Sequence, residues 1–172
     1  MRNRHLNWYV VSITILTAVF CGTCNSPAPN VISKYATRFI NKQPDEELKE
    51  ISQMFLREWN TSNFIEKGKT IAFSRVEDGQ KLYESANFAA RTICEELKGT
   101  LQIFPEQNEK YACQLSCRIE ASDLPSKVEG DYIHLVKEMF FKFTLIDSRD
   151  GSFVWKCQVS LIRERLVPRD NR

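Results

Sequence analysis

The sequence predicts an α+β domain: a mostly antiparallel sheet of about four to five strands with two main helices packed on one face. Three observations carry this expectation. Two stretches repeat apolar residues at three- and four-residue steps, the signature of an amphipathic helix. Five others run apolar or alternate, bounded by glycine, proline or an Asp-Gly pair. Their order along the chain is helix, strand, helix and then four strands.

Each element has a local reason. From Asp45 onward, Leu48, Ile51, Phe55 and Trp59 form one stripe flanked by Met54 and Leu56. Glu46, Glu47, Lys49, Glu50, Arg57 and Glu58 fall mostly outside it, and acids crowd the first turn, where the helix dipole favours them. Asn60-Thr61-Ser62-Asn63 ends this helix. Gly68 marks a turn, Lys69 to Val76 is the first strand and Glu77 to Gln80 a loop. Leu82 to Lys98 is the second helix, with Leu82, Phe88 or Ala89, Ile93 and Leu97 turned inward and Gly99 as its C-cap. Leu101 to Phe104 is a short second strand closed by Pro105, and Tyr111 to Ile119 is the third. Ala121 to Asp131 reads as a charged loop. Glu138 to Ile146 is the fourth strand, with Tyr132 as its earliest start. Ser148-Arg149-Asp150-Gly151 forms a hairpin turn, and Phe153 to Ile162 the fifth strand. Alternation puts Phe153, Trp155, Cys157, Val159 and Leu161 on one face of that strand. The chain from Arg163 reads as solvated, so the domain spans 45–165 and 166–172 is a tail.

A chain of 172 residues, 42% hydrophobic and 27% charged, has room for one such domain. Arg2 and Arg4 are the only charged side chains before Lys34, and beyond residue 24 basic and acidic residues balance at 22 each. This balance argues against nucleic acid as the main partner, which would require a basic excess, and against a polybasic membrane-surface domain.

The first 24 residues read as an export signal. Arg2, Arg4 and His5 form a basic start, and Trp8 to Phe20 is an uncharged run of 13 residues. Such a run is short for a membrane span, which needs roughly 20 apolar residues. Cys21-Gly22-Thr23-Cys24 follows, and then a polar segment with Pro27 and Pro29. A cysteine at the end of a short apolar run, followed by such a segment, resembles a bacterial lipoprotein signal. The resemblance implies cleavage before a cysteine that carries a diacylglyceryl group, and a domain held at the outer membrane facing the periplasm; a cleaved soluble secreted protein and an uncleaved anchor are the alternatives. Cys24 is the expected lipidation site and Cys21 the second choice, because Thr23 is nearer than Phe20 to the small residue usual at the preceding position. Residues 25–44 then read as a polar tether, about 65 Å long if fully extended.

Beyond Cys24 lie Cys94, Cys113, Cys117 and Cys157. An even count permits two disulfides in an oxidising compartment. Cys113 and Cys117, four apart on one strand, are separated by about 13 Å and cannot bridge each other. The other reading is four buried reduced side chains acting as small apolar groups. A metal site from Cys113, Cys117, Cys157 and His134 matches no standard zinc spacing. Neither phosphate-binding glycine loops nor a nucleophile elbow nor a metalloprotease motif occurs, and His134 is the only histidine after the signal. We expect no catalytic residues, no cofactor, no metal and no small-molecule substrate.

Two segments resemble the periplasmic domain of the penicillin-binding protein activator LpoB family. The first is Asp45 to Asp78, in which Ser62, Phe64, Lys69, Arg75 and Val76 occupy the places of the family's "S-x-F" connection and strand ending "G-R-V-x-N", with Ser74 for its glycine and Asp78 for its asparagine. The second is Phe141 to Glu164, where Leu145, Ile146, Asp147, Gly151, Val154 and Trp155 fit the closing hairpin "L-x-L-[VI]-D-x-x-[TS]-G-x-x-V-W". The hairpin motif recurs in related lipoproteins of curli-secretion and TolB-N-terminal type. The family's helical stretch before its third strand is reduced here to the short turn from Phe104 to Tyr111. The resemblance implies a non-enzymatic lipoprotein that binds and activates a peptidoglycan synthase. Its alternative is a self-associating structural or secretion-assembly lipoprotein of the same fold.

Overall fold

The computed structural model describes residues 30–62, 69–105 and 111–169, with the backbone alone for 30–37 and 105. The elements are β1 (Asn30–Ile40), α1 (Pro44–Thr61), β2 (Ile71–Asp78), α2 (Ala86–Lys98), β3 (Ile103–Pro105), β4 (Cys113–Glu129), β5 (Tyr132–Asp147) and β6 (Phe153–Pro168). The α+β class and the two helices are as expected. The sheet differs: it has six strands rather than four to five, and it is mixed rather than mostly antiparallel. Its order is β1-β6-β5-β4-β2-β3. β4, β5 and β6 form an antiparallel meander, whereas β1–β6, β2–β4 and β2–β3 are parallel pairs. The β2–β3 pair is parallel because α2 connects the two strands, and α1 after β1 gives β1 and β2 the same direction in the sheet. Each helix crosses the sheet and returns the chain to the end where it started.

Three expectations about chain ends and loops are corrected. The stretch 30–40, read as tether, pairs along β6. Val31, Ile32, Tyr35, Thr37, Phe39 and Ile40 give it strand-forming residues, and the edge of β6 supplies the partner that makes it a strand. The expected loop Ala121–Asp131 is instead the continuation of β4 into a long hairpin with β5, closed at Gly130 with φ +58°. Pro125 is accommodated by a register shift between Leu124 and Lys127. The expected solvated end is the second half of β6, paired to β5 as far as Pro168.

Both helices lie on one face. In α1, Pro44 opens the helix, Asp45, Glu46 and Glu47 fill its first turn, and Leu48, Ile51, Met54, Phe55 and Trp59 are buried. α2 starts later than Leu82 because the Asp78 carboxylate accepts the N–H groups of Leu82 and Tyr83, each at 2.9 Å, which holds that segment in a turn. Ser85 then caps the helix, its Oγ accepting the Phe88 N–H at 3.0 Å. The core is the seam between Ile93, Leu97 and the α1 stripe and the inward residues of the meander, among them Leu115, Phe141, Phe143, Trp155 and Val159. Phe55 sits at its centre, 4.4 Å from the Phe143 ring and 5.5 Å from Trp155, with ring centroids measured in each case.

Candidate interaction face

With both helices on one side, the alternate residues of the strands face outward. The register arranges them in rows across the sheet. One row runs Phe104, Ala72, Gln114, Ile146 and Phe153. The next runs Arg75, Ser116, Thr144 and Lys156 and ends at Asn30. A third runs Glu77, Arg118, Lys142 and Gln158. Period-two alternation within each strand, combined with the register, turns scattered charges into a shallow groove.

The charges in this groove are partly paired. Glu77 accepts from Arg118 Nε at 2.8 Å and lies 2.8 Å from Arg75 Nη2. The hydrogen bond from Arg118 holds the Glu77 carboxyl below the ordinary carboxylate range. Lys142 contacts Glu120 one row further on. Lys156 lies over the Phe153 ring, 3.9 Å from its centroid. Arg75, Arg118, Lys142 and Lys156 thus face Glu77 and Glu120, leaving a cationic excess on a surface that is mostly exposed.

Two further polar networks involve residues the sequence places in a tail. Arg163 and Glu164 are successive on β6 and so point to opposite faces. Arg163 turns toward the helices, where its Nε donates to both Glu47 carboxylate oxygens at 3.0 Å and its Nη1 to the Leu82 carbonyl at 3.2 Å. Tyr83 Oη completes the set, donating to Glu47 at 3.3 Å, and burial pushes that phenol up. Glu164 turns to the other face and is buried between Arg38 and His134, which contact its two oxygens. The hydrogen bond from His134 is the main reason its carboxyl lies below the ordinary range. The signal for both was available as alternation through Leu161-Ile162-Arg163-Glu164, but charge made the end of a strand read as solvent.

The hairpin motif has a structural explanation. Asp147 accepts the backbone N–H of Arg149 at 2.8 Å and that guanidinium's Nη2 at 2.7 Å, and Gly151 takes φ +71°. The Arg149 side chain holds the Asp147 carboxyl well below the usual range. Trp155 is fully buried, and its Nε1 has no hydrogen-bond partner among the described residues.

Cys21 and Cys24 lie outside the described residues, as does Phe64. Cys94, Cys113, Cys117 and Cys157 are all buried. Cys117 and Cys157 share a row, but Phe143 of β5 stands between them. Two strand spacings, about 9.5 Å, exceed disulfide reach. Burial pushes both thiols up, Cys157 to about 12. His134 and the three sheet cysteines occupy opposite faces, so the structure does not bring that set together. Among the described residues no cluster of His, Cys, Asp and Glu could hold a metal ion, and no helix is long and apolar enough to cross a membrane.

No protein-family description matches the sequence, and no curated protein does. Among solved structures, the chain is similar to the C-terminal domain of LpoB from Salmonella enterica, at 8% identity and TM-score 0.39, over 69% of this chain and 98% of that one. It is similar to PelC from Paraburkholderia phytofirmans, described as a dodecamer, at 16% identity and TM-score 0.40, over 65% and 81%. It is also similar to the lipoprotein GNA1162 from Neisseria meningitidis, at 14% identity and TM-score 0.36, over 56% and 83%. At these identities and scores the likenesses assign no function.

Proposed function

We propose that the chain is a non-enzymatic envelope lipoprotein, anchored through Cys24, that binds a peptidoglycan synthase through the outward face of its sheet and biases that enzyme toward its active state. The observation that carries the reading is the placement of both helices on one side, which leaves β2, β4, β5 and β6 presenting Arg75, Arg118, Lys142 and Lys156 in register across an open surface. The matches of Leu145 to Trp155 and of Arg75-Val76 to the activator family supply the choice of partner. Activation then needs only a higher affinity for the active conformation than for the inactive one.

The sheet shortens the tether. With β1 starting at Asn30, only residues 25–29 separate Cys24 from the domain. That limits the reach to about 20 Å rather than 65 Å. The partner must therefore come close to the anchoring bilayer.

The test is crosslinked affinity capture from envelope membranes with the full chain. The expected result is a peptidoglycan synthase as the main product, reduced at least about tenfold by Arg118→Glu with Lys142→Glu, at unchanged melting temperature. Recovery of the chain itself alone, with concentration-dependent oligomers in sedimentation, would sink the activator reading and favour self-association. The position of β1 at the edge of the sheet, the exposed Val128 and Leu135 of the long hairpin and the exposed Val167 of β6 are compatible with that second reading.

A further inference from the structure

One end of the sheet combines three properties that point to a lipid surface. First, it carries two exposed aromatic rings: Phe104 and Phe153 are 45% and 58% exposed, at opposite ends of the row that runs through Ala72, Gln114 and Ile146. Second, the adjacent row, about 7 Å further into the sheet, carries the cations Arg75 and Lys156. Exposed aromatic rings backed by cations at that spacing match the boundary between acyl chains and lipid phosphates, where aromatic and basic side chains settle. Third, β1 enters the sheet at this end. It runs parallel to β6, and its first residue, Asn30, stands opposite Lys156. The chain from Cys24 joins the domain there, so an anchor in the bilayer holds this end within about 20 Å of the membrane.

We propose that this end of the sheet docks on an anionic bilayer, with Phe153 and Phe104 entering the interface and Lys156 and Arg75 meeting lipid phosphates. The proposal rests on the anchored-lipoprotein reading and adds to it an orientation. Anchoring supplies the high local concentration, so a weak contact suffices. The overall charge balance of the chain is no obstacle, because the contact is aromatic first and uses two cations rather than a polybasic surface. Docking by this end leaves Arg118 and Lys142, one row further from it on the same face, and the long β4–β5 hairpin at the opposite end for a protein partner.

The experiment uses the full lipidated chain reconstituted in vesicles of phosphatidylethanolamine and phosphatidylglycerol, with phosphatidylcholine vesicles and detergent for comparison. Hydrogen exchange is followed by mass spectrometry. The expected result is exchange slowed about threefold or more at residues 148–156 on the anionic vesicles, with the hairpin tip at 125–132 unchanged. Phe153→Ser with Lys156→Glu should abolish that protection while the chain stays on the vesicles through an alkaline wash. A retained chain that shows no protection at 148–156, or protection at 125–132 instead, overturns the docking and leaves anchoring intact. A chain that the wash removes overturns both.

Discussion

The buried ion pair of Arg163 and Glu47 shows what single residues decide in this fold. Both groups are desolvated, and each is fully satisfied only by the other, by Tyr83 and by the Leu82 carbonyl. Such a pair adds little net stability relative to an apolar substitute, but removing one partner leaves an uncompensated buried charge. We therefore expect Arg163→Met to destabilise the domain by about 3–5 kcal/mol in urea titration, and Arg163→Met with Glu47→Leu to recover most of that loss. A double variant as unstable as the single one would show that Arg163 acts by packing alone. The neighbouring carboxylate Glu164 does the equivalent on the other face, tying Arg38 of β1 and His134 of β5 to β6.

At the scale of elements, β1 is the informative case. Among the described residues it pairs only with β6, and its Phe39 is buried opposite Arg163 with Lys42 over its ring. If β1 belongs to the domain, Phe39→Ala should cost about 3 kcal/mol in the same titration, near the low end for a buried phenylalanine. A neutral result would return residues 30–40 to the tether and restore the longer reach. The helices and the meander were legible in the sequence because each contains its own period. β1 and the outer halves of β4 and β6 were not, because their charged residues read as solvated until a neighbouring strand is placed beside them.

The whole molecule responds to pH through the carboxylates set into its surface. Asp147, Glu164 and Glu77 all titrate below the ordinary range, held there chiefly by Arg149, His134 and Arg118 respectively. A depressed native pKa means that the ionised form stabilises the fold. That contribution is complete above the ordinary carboxylate range near 4 and is lost as pH falls from there through the lowered native values. Melting temperature should therefore fall as the pH drops below about 4. Glu164→Gln should melt lower than the parent at neutral pH and lose less on acidification. Parallel melting curves for the two proteins across that range would show that Glu164 contributes nothing to the acid transition.

The sequence by itself determined the α+β class, both helices, the Asp-Gly hairpin and the burial of Trp59 and Trp155. Each is set by a period or a turn within about twenty residues. It also carried the residues of the candidate face, Arg75 through its likeness to a known motif and Arg118, Lys142 and Lys156 without any signal. Only the tertiary structure placed these four in rows, because a row depends on register between strands and not on spacing along one strand. The same is true of the parallel pairs, of the sixth strand and of the inward turn of Arg163 and Glu164. Hydrophobic patterning reports which face of a segment avoids water. It does not report which segment will stand beside it, and here that choice decided that residues 30–40 belong to the sheet.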